Sequence, residues 1–544
     1  MRIARTFLSQ SLLLPGLLSV GLSLSGNGFA RDTVPVPSPA PRFAVSLPAD
    51  AAAVAGGRLL VFATEAGAAR AAAKDGKVDE IDANPFRGTS TAVAARDIGQ
   101  LQTGQSVTVD GDQDALPAFS QLPPGDYLVQ AVLDVDHSYA YSGRGPGDLV
   151  GPVTAVHLPA STPIPLQLGP AVPAMALWAL SPRMLTPEIA KHLEQAKAHA
   201  QPLDFRSPAL SAFWGRPITM RGWVLLPPGY ETGGKQRYPT VYFTHGFGAN
   251  VDYLAGYAAG VYAATAEAKM PPMIWVFLDQ STPAGTHEFA DSVNNGPWGK
   301  ALTEELIPSL ESRYRMDAAP SGRFLTGHSS GGWATLWLQV RYPKVFGGTW
   351  STAPDPADFH DFTGVDLYAA DANAYRRADG TPVPLVRDQG KVLGTFEGFA
   401  RLERVLGAYG GQLTSFEWVF SPRGPDGRPM PMFDRDTGKV DPQVVAYWRE
   451  HYDIVARLQR DWPALKPDLD GKIHVYVGTA DTFYLDGAAH RLDTALKALG
   501  AKAEVHFVPD RTHFDLYKTG DDPRGLLLQI AREMYATARP TARP

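Results

Sequence analysis

Two hydrophobic patterns divide the chain. From residue 43 to about 168, short apolar runs at 58–63, 106–109, 127–133 and 153–158 are separated by turn residues, among them Leu122-Pro123-Pro124-Gly125-Asp126. Short strands at this spacing predict an all-β, sandwich-like domain. After about residue 200, apolar strand runs alternate with helical patterns, the signature of an α/β domain. Strands are expected at 218–226, 240–244, 273–278, 323–326, 347–351, 473–477 and 504–508. The runs at 240, 273 and 473 are nearly continuous apolar or aromatic, as in strands covered by helices on both faces. Helical periodicity falls at 301–314, 332–342 and 490–499. The expected fold class is therefore α/β, a doubly wound sheet behind an N-terminal all-β domain.

Residues 356–471 interrupt the alternation. A Pro/Gly-rich stretch at 421–431 and a helix near 443–460 mark a long insertion, expected to sit over the end of the sheet as a lid or pocket wall. The Pro-rich stretch 159–174 is a natural boundary. The organisation read from the chain is a β domain at 31–170, a linking segment at 171–200 and an α/β domain at 201–540. The β domain holds no convincing catalytic cluster. It is expected to pack beside the α/β part, with carbohydrate binding as the alternative.

The first thirty residues read as a secretory signal peptide. Arg2 and Arg5 precede an apolar stretch at 12–24, and Gly28-Phe29-Ala30 offers small residues for cleavage. The expectation is a bacterial periplasmic or secreted protein with no membrane span after cleavage. There is no cysteine, which excludes disulfides, thiolate metal sites and a cysteine nucleophile. The formal charge is -6 with no long basic run, so nucleic acid is not an expected partner.

Candidate chemistry centres on Gly327-His328-Ser329-Ser330-Gly331. This G-x-S-x-G pentapeptide joins the strand expected at 323–326 to the helix expected at 332–342. Such a strand-to-helix turn lifts its central hydroxyl above the sheet at a helix N-terminus, where small flanking residues relieve crowding. Ser329 is the expected nucleophile and Ser330 its rival. A serine hydroxyl needs a base, and in a strand–turn–helix site of this kind the chain order is Ser, acid, His. The strand at 473–477 leads to Asp481, and the strand at 504–508 leads to Pro509-Asp510-Arg511-Thr512-His513. His513 is the expected base and Asp481 its orienting acid. Asp355, Asp486 and Asp510 compete for the acid role, Asp355 most seriously because it follows the strand at 347–351.

The oxyanion of an acyl-transfer intermediate needs backbone donors. The N–H of Ser330 is one candidate. The other comes from His245-Gly246-Phe247-Gly248, with Phe247 favoured and Gly248 next. Trp298, in the loop after 291, could stack on a sugar or an aromatic acyl group. His245 and His328 are further candidates for touching substrate. Trp418, Phe433 and Trp448 could line an acyl pocket from the insertion.

From about Ser207 to Tyr517 the chain resembles the putative-esterase family of α/β-hydrolases, which includes feruloyl, acetyl-xylan and enterochelin esterases, S-formylglutathione hydrolases and mycolyltransferases. The matching text is Trp223-Val224-Leu225-Leu226-Pro227-Pro228-Gly229-Tyr230, Tyr238 through Gly246, Glu304-Glu305-Leu306-Ile307-Pro308, the pentapeptide at 327–331, and Tyr342-Pro343-Lys344-Val345-Phe346-Gly347. The resemblance implies a Ser329–His513–Asp481 triad, with no metal and no organic cofactor. The expected activity is hydrolysis of a small-molecule or carbohydrate ester, of the carbohydrate-linked (acetyl or feruloyl) or siderophore type. Serine peptidase or acyltransferase activity on the same triad is the alternative, and a non-catalytic binding protein is a third reading. The insertion and the N-terminal β domain depart from compact members of the family.

Overall fold

The computed structural model describes residues 40–49, 53–86, 90–182 and 184–540. The expected signal peptide lies outside them. Within the α/β part an eight-stranded sheet is built from β1 (Ala200–Arg206), β2 (Thr219–Leu225), β3 (Thr240–Thr244), β4 (Ile274–Leu278), β5 (Arg323–His328), β6 (Gly348–Thr352), β7 (Ile473–Gly478) and β8 (Ala503–Val508). Their spatial order is β1-β2-β4-β3-β5-β6-β7-β8. The pairs β1–β2 and β2–β4 are antiparallel; every pair from β4 to β8 is parallel.

The continuous apolar runs follow from burial on two sides. Trp223, Val241, Phe243, Trp275 and Phe277 point to one core, with the helices Val251–Ala266 and Gly525–Ala538. Their neighbours Val224, Tyr242, Ile274 and Val276 point to the opposite core, with residues from Trp298 to Leu310 and from the helix Ser330–Arg341. A strand with helices on both faces has no solvent side on which to place polar residues.

Strands between Arg42 and Gln167 form two further sheets. Arg42–Ser46 pairs with Ser106–Asp110 and Ile164–Gln167, the last of these lying inside the Pro-rich stretch read as a boundary. Gly57–Glu65 pairs with Ala92–Ile98 and Gly125–Asp134. Along Gly57–Glu65 the pleat sends Leu59, Val61 and Ala63 toward the smaller sheet and Leu60 and Phe62 the other way, onto Leu402, Val405 and Leu406 of the insertion helix Phe396–Leu406. Arg58, buried at the same seam, donates to the Val405 carbonyl at 2.8 Å and pairs with Asp97 and Asp114. The β strands and the insertion thus share one core, and the described residues belong to one compact unit.

The insertion between β6 and β7 is a hairpin (Pro384–Asp388, Lys391–Thr395) followed by the helices Phe396–Leu406, Gln412–Phe420, Pro442–His451 and Ile454–Leu469. Among the described residues no helix is long and apolar enough to cross a membrane.

Candidate active site

Ser329 stands between β5 and the helix Ser330–Arg341 with φ 61° and ψ −126°, a backbone state that a non-glycine residue rarely adopts. Its surroundings fix it there. Its N–H donates to the Thr352 carbonyl at 3.0 Å, and its own carbonyl accepts from Trp333 at 3.0 Å and Asp355 at 3.3 Å. The glycines around it are required by close packing of backbone on backbone. A Cβ on Gly327 would lie 2.4 Å from the Gly331 carbonyl oxygen, and one on Gly331 2.4 Å from that of Thr244. We expect Gly331→Ala to destabilise the protein by about 3 kcal/mol or more, because only rigid backbone could yield. Gly99→Ala, where a Cβ meets nothing within 4 Å, is the matched control, with a change of about 0.5 kcal/mol or less. Urea denaturation of both variants measures the difference.

The ends of β5, β7 and β8 bring the other groups to the same side. His513 Nδ1 lies 2.9 Å from Asp481 Oδ2, with the two side chains 4% and 0% exposed. The second Asp481 oxygen accepts the backbone N–H of Phe483 at 2.9 Å and of Leu485 at 3.3 Å. Burial alone would raise the Asp481 pKa; the facing His513 and these hydrogen bonds outweigh it and bring it below the usual carboxylate range. Ser329 and His513 line one cavity of about 510 Å³.

His328 lines that cavity too. Its ring is 4.5 Å from that of His513, and Nδ1 lies 3.3 Å from Thr352 Oγ1. Desolvation first, and then His513, depress its pKa to about 3, so it is neutral. Phe247 and Gly248 also line the cavity. Ser330 is fully buried, its hydroxyl donates to Asp355 Oδ2 at 2.6 Å, and it does not line the cavity.

Two expected substrate contacts fall elsewhere. Trp298 stacks on His287 at 3.6 Å, donates Nε1–H to the Asn295 carbonyl, and belongs to the core under the sheet. His245 is buried below the turn, its ring nitrogens against the Gly246 carbonyl and Asp279. Neither lines the cavity. The aromatic residues expected from the insertion are displaced as well: Phe433 and Trp448 lie in its own core, and Trp418 is not among the lining residues. The insertion instead contributes Phe362, Leu385, Phe399, Gln412 and Phe416. Gln412 carried no sequence signal. It reaches Ser330 Oγ and Asp355 Oδ2 at 3.3 and 3.5 Å across a long chain separation.

Asp355 is buried beside the turn, among Ser329, Ser330, Gln412, His513, Asp481 and Glu288. Burial, reinforced by Asp481, raises its pKa to about 6 against the opposing effects of Ser330, His513 and Ser329. A carboxyl whose folded pKa is raised adds stability below its unfolded pKa and loses it as pH climbs through the folded value. Asp355→Asn, which cannot ionise, should therefore gain on the natural protein by about 2 kcal/mol between pH 4.5 and pH 8. Urea denaturation at the two pH values checks this, and a constant difference would refute it.

A mostly parallel sheet with helices on both faces and a strained serine at the end of its fifth strand is the architecture of an α/β-hydrolase. The family model described as "Putative esterase" matches residues 212–488, half of the chain, and the protein belongs to that family. It is 30% identical over 160 residues to Esterase MT1326 of Mycobacterium tuberculosis (strain CDC 1551 / Oshkosh), covering 28% of this chain and 34% of that protein. It is 30% identical over 130 residues to an endo-1,4-beta-xylanase/feruloyl esterase of Xylanibacter ruminicola, covering 23% of this chain and 18% of the relative. The chain thus matches about a third or less of the length of these relatives. Among solved structures, a ferulic acid esterase superposes with a TM-score of 0.38 at 14% identity, over 62% of this chain and 98% of the other. An S-formylglutathione hydrolase from Agrobacterium tumefaciens gives 0.34 at 14% identity, over 62% and 94%.

Proposed function

We propose that the protein is an exported serine esterase in which Ser329 attacks an ester carbonyl, His513 serves as general base and then general acid, and Asp481 orients His513. The observation that carries the reading is the buried 2.9 Å contact between His513 Nδ1 and Asp481 Oδ2, at the cavity that Ser329 also lines. With Nδ1–H held by the carboxylate, Nε2 is the basic nitrogen. It takes the Ser329 proton as the hydroxyl oxygen bonds to the acyl carbon. It returns that proton to the departing alkoxide, leaving an acyl-enzyme. Water then repeats the sequence and frees the acid. The backbone N–H groups of Ser330 and Phe247 are the proposed donors to the tetrahedral oxyanion.

The substrates we propose are carbohydrate-linked acetyl or feruloyl esters, or siderophore-type esters; the feruloyl esterase named among the relatives supports the first. Export rests on the pattern of the first thirty residues. The test is a fluorophosphonate probe followed by peptide mass mapping, together with acid release from acetyl-, feruloyl- and triscatecholate esters. A single adduct on Ser329 is expected. A protein that neither takes the label nor releases acid from any ester is not this enzyme.

A further inference from the structure

The cavity at Ser329 is not built by the hydrolase part alone. Residues 82–86 and 139–143, which belong to the N-terminal β strands and their connections, form one of its walls. Phe86 stands where three other segments meet. Its ring packs edge-on against Phe247 of the loop after β3 at 6.0 Å, Phe399 of the insertion at 5.4 Å and Phe483 beside the acid at 5.5 Å. Phe483 in turn touches His513, with ring centres 4.9 Å apart. Tyr141 adds a second tie: its hydroxyl donates to the Ala249 carbonyl at 2.5 Å, and its ring lies edge-on to Phe247 at 4.8 Å. At the mouth, Phe514, next to His513 in sequence, is 71% exposed although it is large and apolar. Its ring packs edge-on against Phe483 and His513, with centres 5.8 and 5.5 Å apart, so its outer face extends the aromatic wall to the cavity mouth.

We propose that the N-terminal β strands are a working part of the active site, with Phe86 as a specificity-determining residue. The group they select is a bulky apolar one, best filled by an aromatic ring, on the acyl side of the ester. This rests on the esterase reading above and deepens it. Aromatic rings prefer edge-to-face contacts with centres roughly 4.5–7 Å apart. Three rings already keep that geometry with Phe86, so a ring entering from Ser329 extends the arrangement. A small acyl group leaves most of the 510 Å³ unfilled.

The test compares two 4-nitrophenyl esters with the same leaving group, the acetate and the 3-phenylpropanoate, on the full-length protein and on Phe86→Ala and Phe86→Leu. The natural protein should favour the phenylpropanoate in kcat/KM. Phe86→Ala should cut that preference about tenfold or more, and Phe86→Leu, which keeps bulk but loses the ring, by less. A merely structural role for Phe86 would lower both rates together and leave their ratio unchanged. An unchanged ratio in a folded variant overturns the proposal, as does a natural protein with no preference for the ring. Should Phe86→Ala fail to fold, Phe86→Leu decides alone. Neither ester turning over, together with an unlabelled Ser329, sinks the esterase reading itself and this proposal with it. Turnover without ring selection sinks only the present one.

Discussion

Replacing Ser329 by alanine should abolish turnover of 4-nitrophenyl acetate, lowering kcat by roughly 10⁴-fold or more, while the folded protein survives. The size of the effect follows from what the substitution removes. Alanine keeps the Cβ, so the turn with φ 61° is strained to the same degree, and the hydrogen bond from this residue's N–H to Thr352 does not involve the side chain. Only the hydroxyl is lost, and with it the acyl-enzyme route. Residual catalysis would come from the oxyanion donors and binding alone. Ser330 is not expected to substitute, because it is buried and does not line the cavity. Steady-state kinetics and a thermal melt suffice. Turnover near the natural rate in a folded S329A protein would remove Ser329 from the mechanism.

The legibility of this fold varied with how local its causes are. Strands β3, β4 and β7 are readable because burial on both faces leaves a continuous apolar run. Strand β1 is not, since it lies at the sheet edge and carries Gln201, Pro202, Asp204 and Arg206. The helix Val251–Ala266 also escapes the periodicity, because small residues such as Gly256, Ala258, Ala259 and Gly260 bury most of its circumference and blur any polar stripe.

The site divides in the same way. The glycine-flanked turn is a five-residue event, so its text is sufficient. Trp298 looked like a ligand platform because its partner His287 meets it only in the folded core. The wall formed by Phe86 and Tyr141 depends on packing the β strands against the insertion, across hundreds of residues. No local pattern encodes that, so the sequence presents the strands as a neighbour of the cavity rather than as a component of it.

The choice between two carboxylates at the site is where a substitution separates position from chemistry. Asp481→Asn should lower kcat/KM on 4-nitrophenyl acetate by about 10³- to 10⁴-fold, and Asp355→Asn by far less. Both groups are buried, both follow strand ends, and both lie near His513. They differ in what their oxygens hold. Asp481 meets Nδ1 at 2.9 Å and is kept ionised by His513 and by the N–H groups of Phe483 and Leu485. An asparagine there can face Nδ1 with its carbonyl but brings no negative charge to stabilise the imidazolium. If it turns its NH₂ inward, it forces the wrong tautomer. Asp355 instead accepts from Ser330 and is pushed toward its neutral form by burial. An amide carbonyl reproduces that acceptor nearly unchanged. The opposite ranking of the two variants would transfer the orienting role to Asp355 and require His513 to swing away from its present partner.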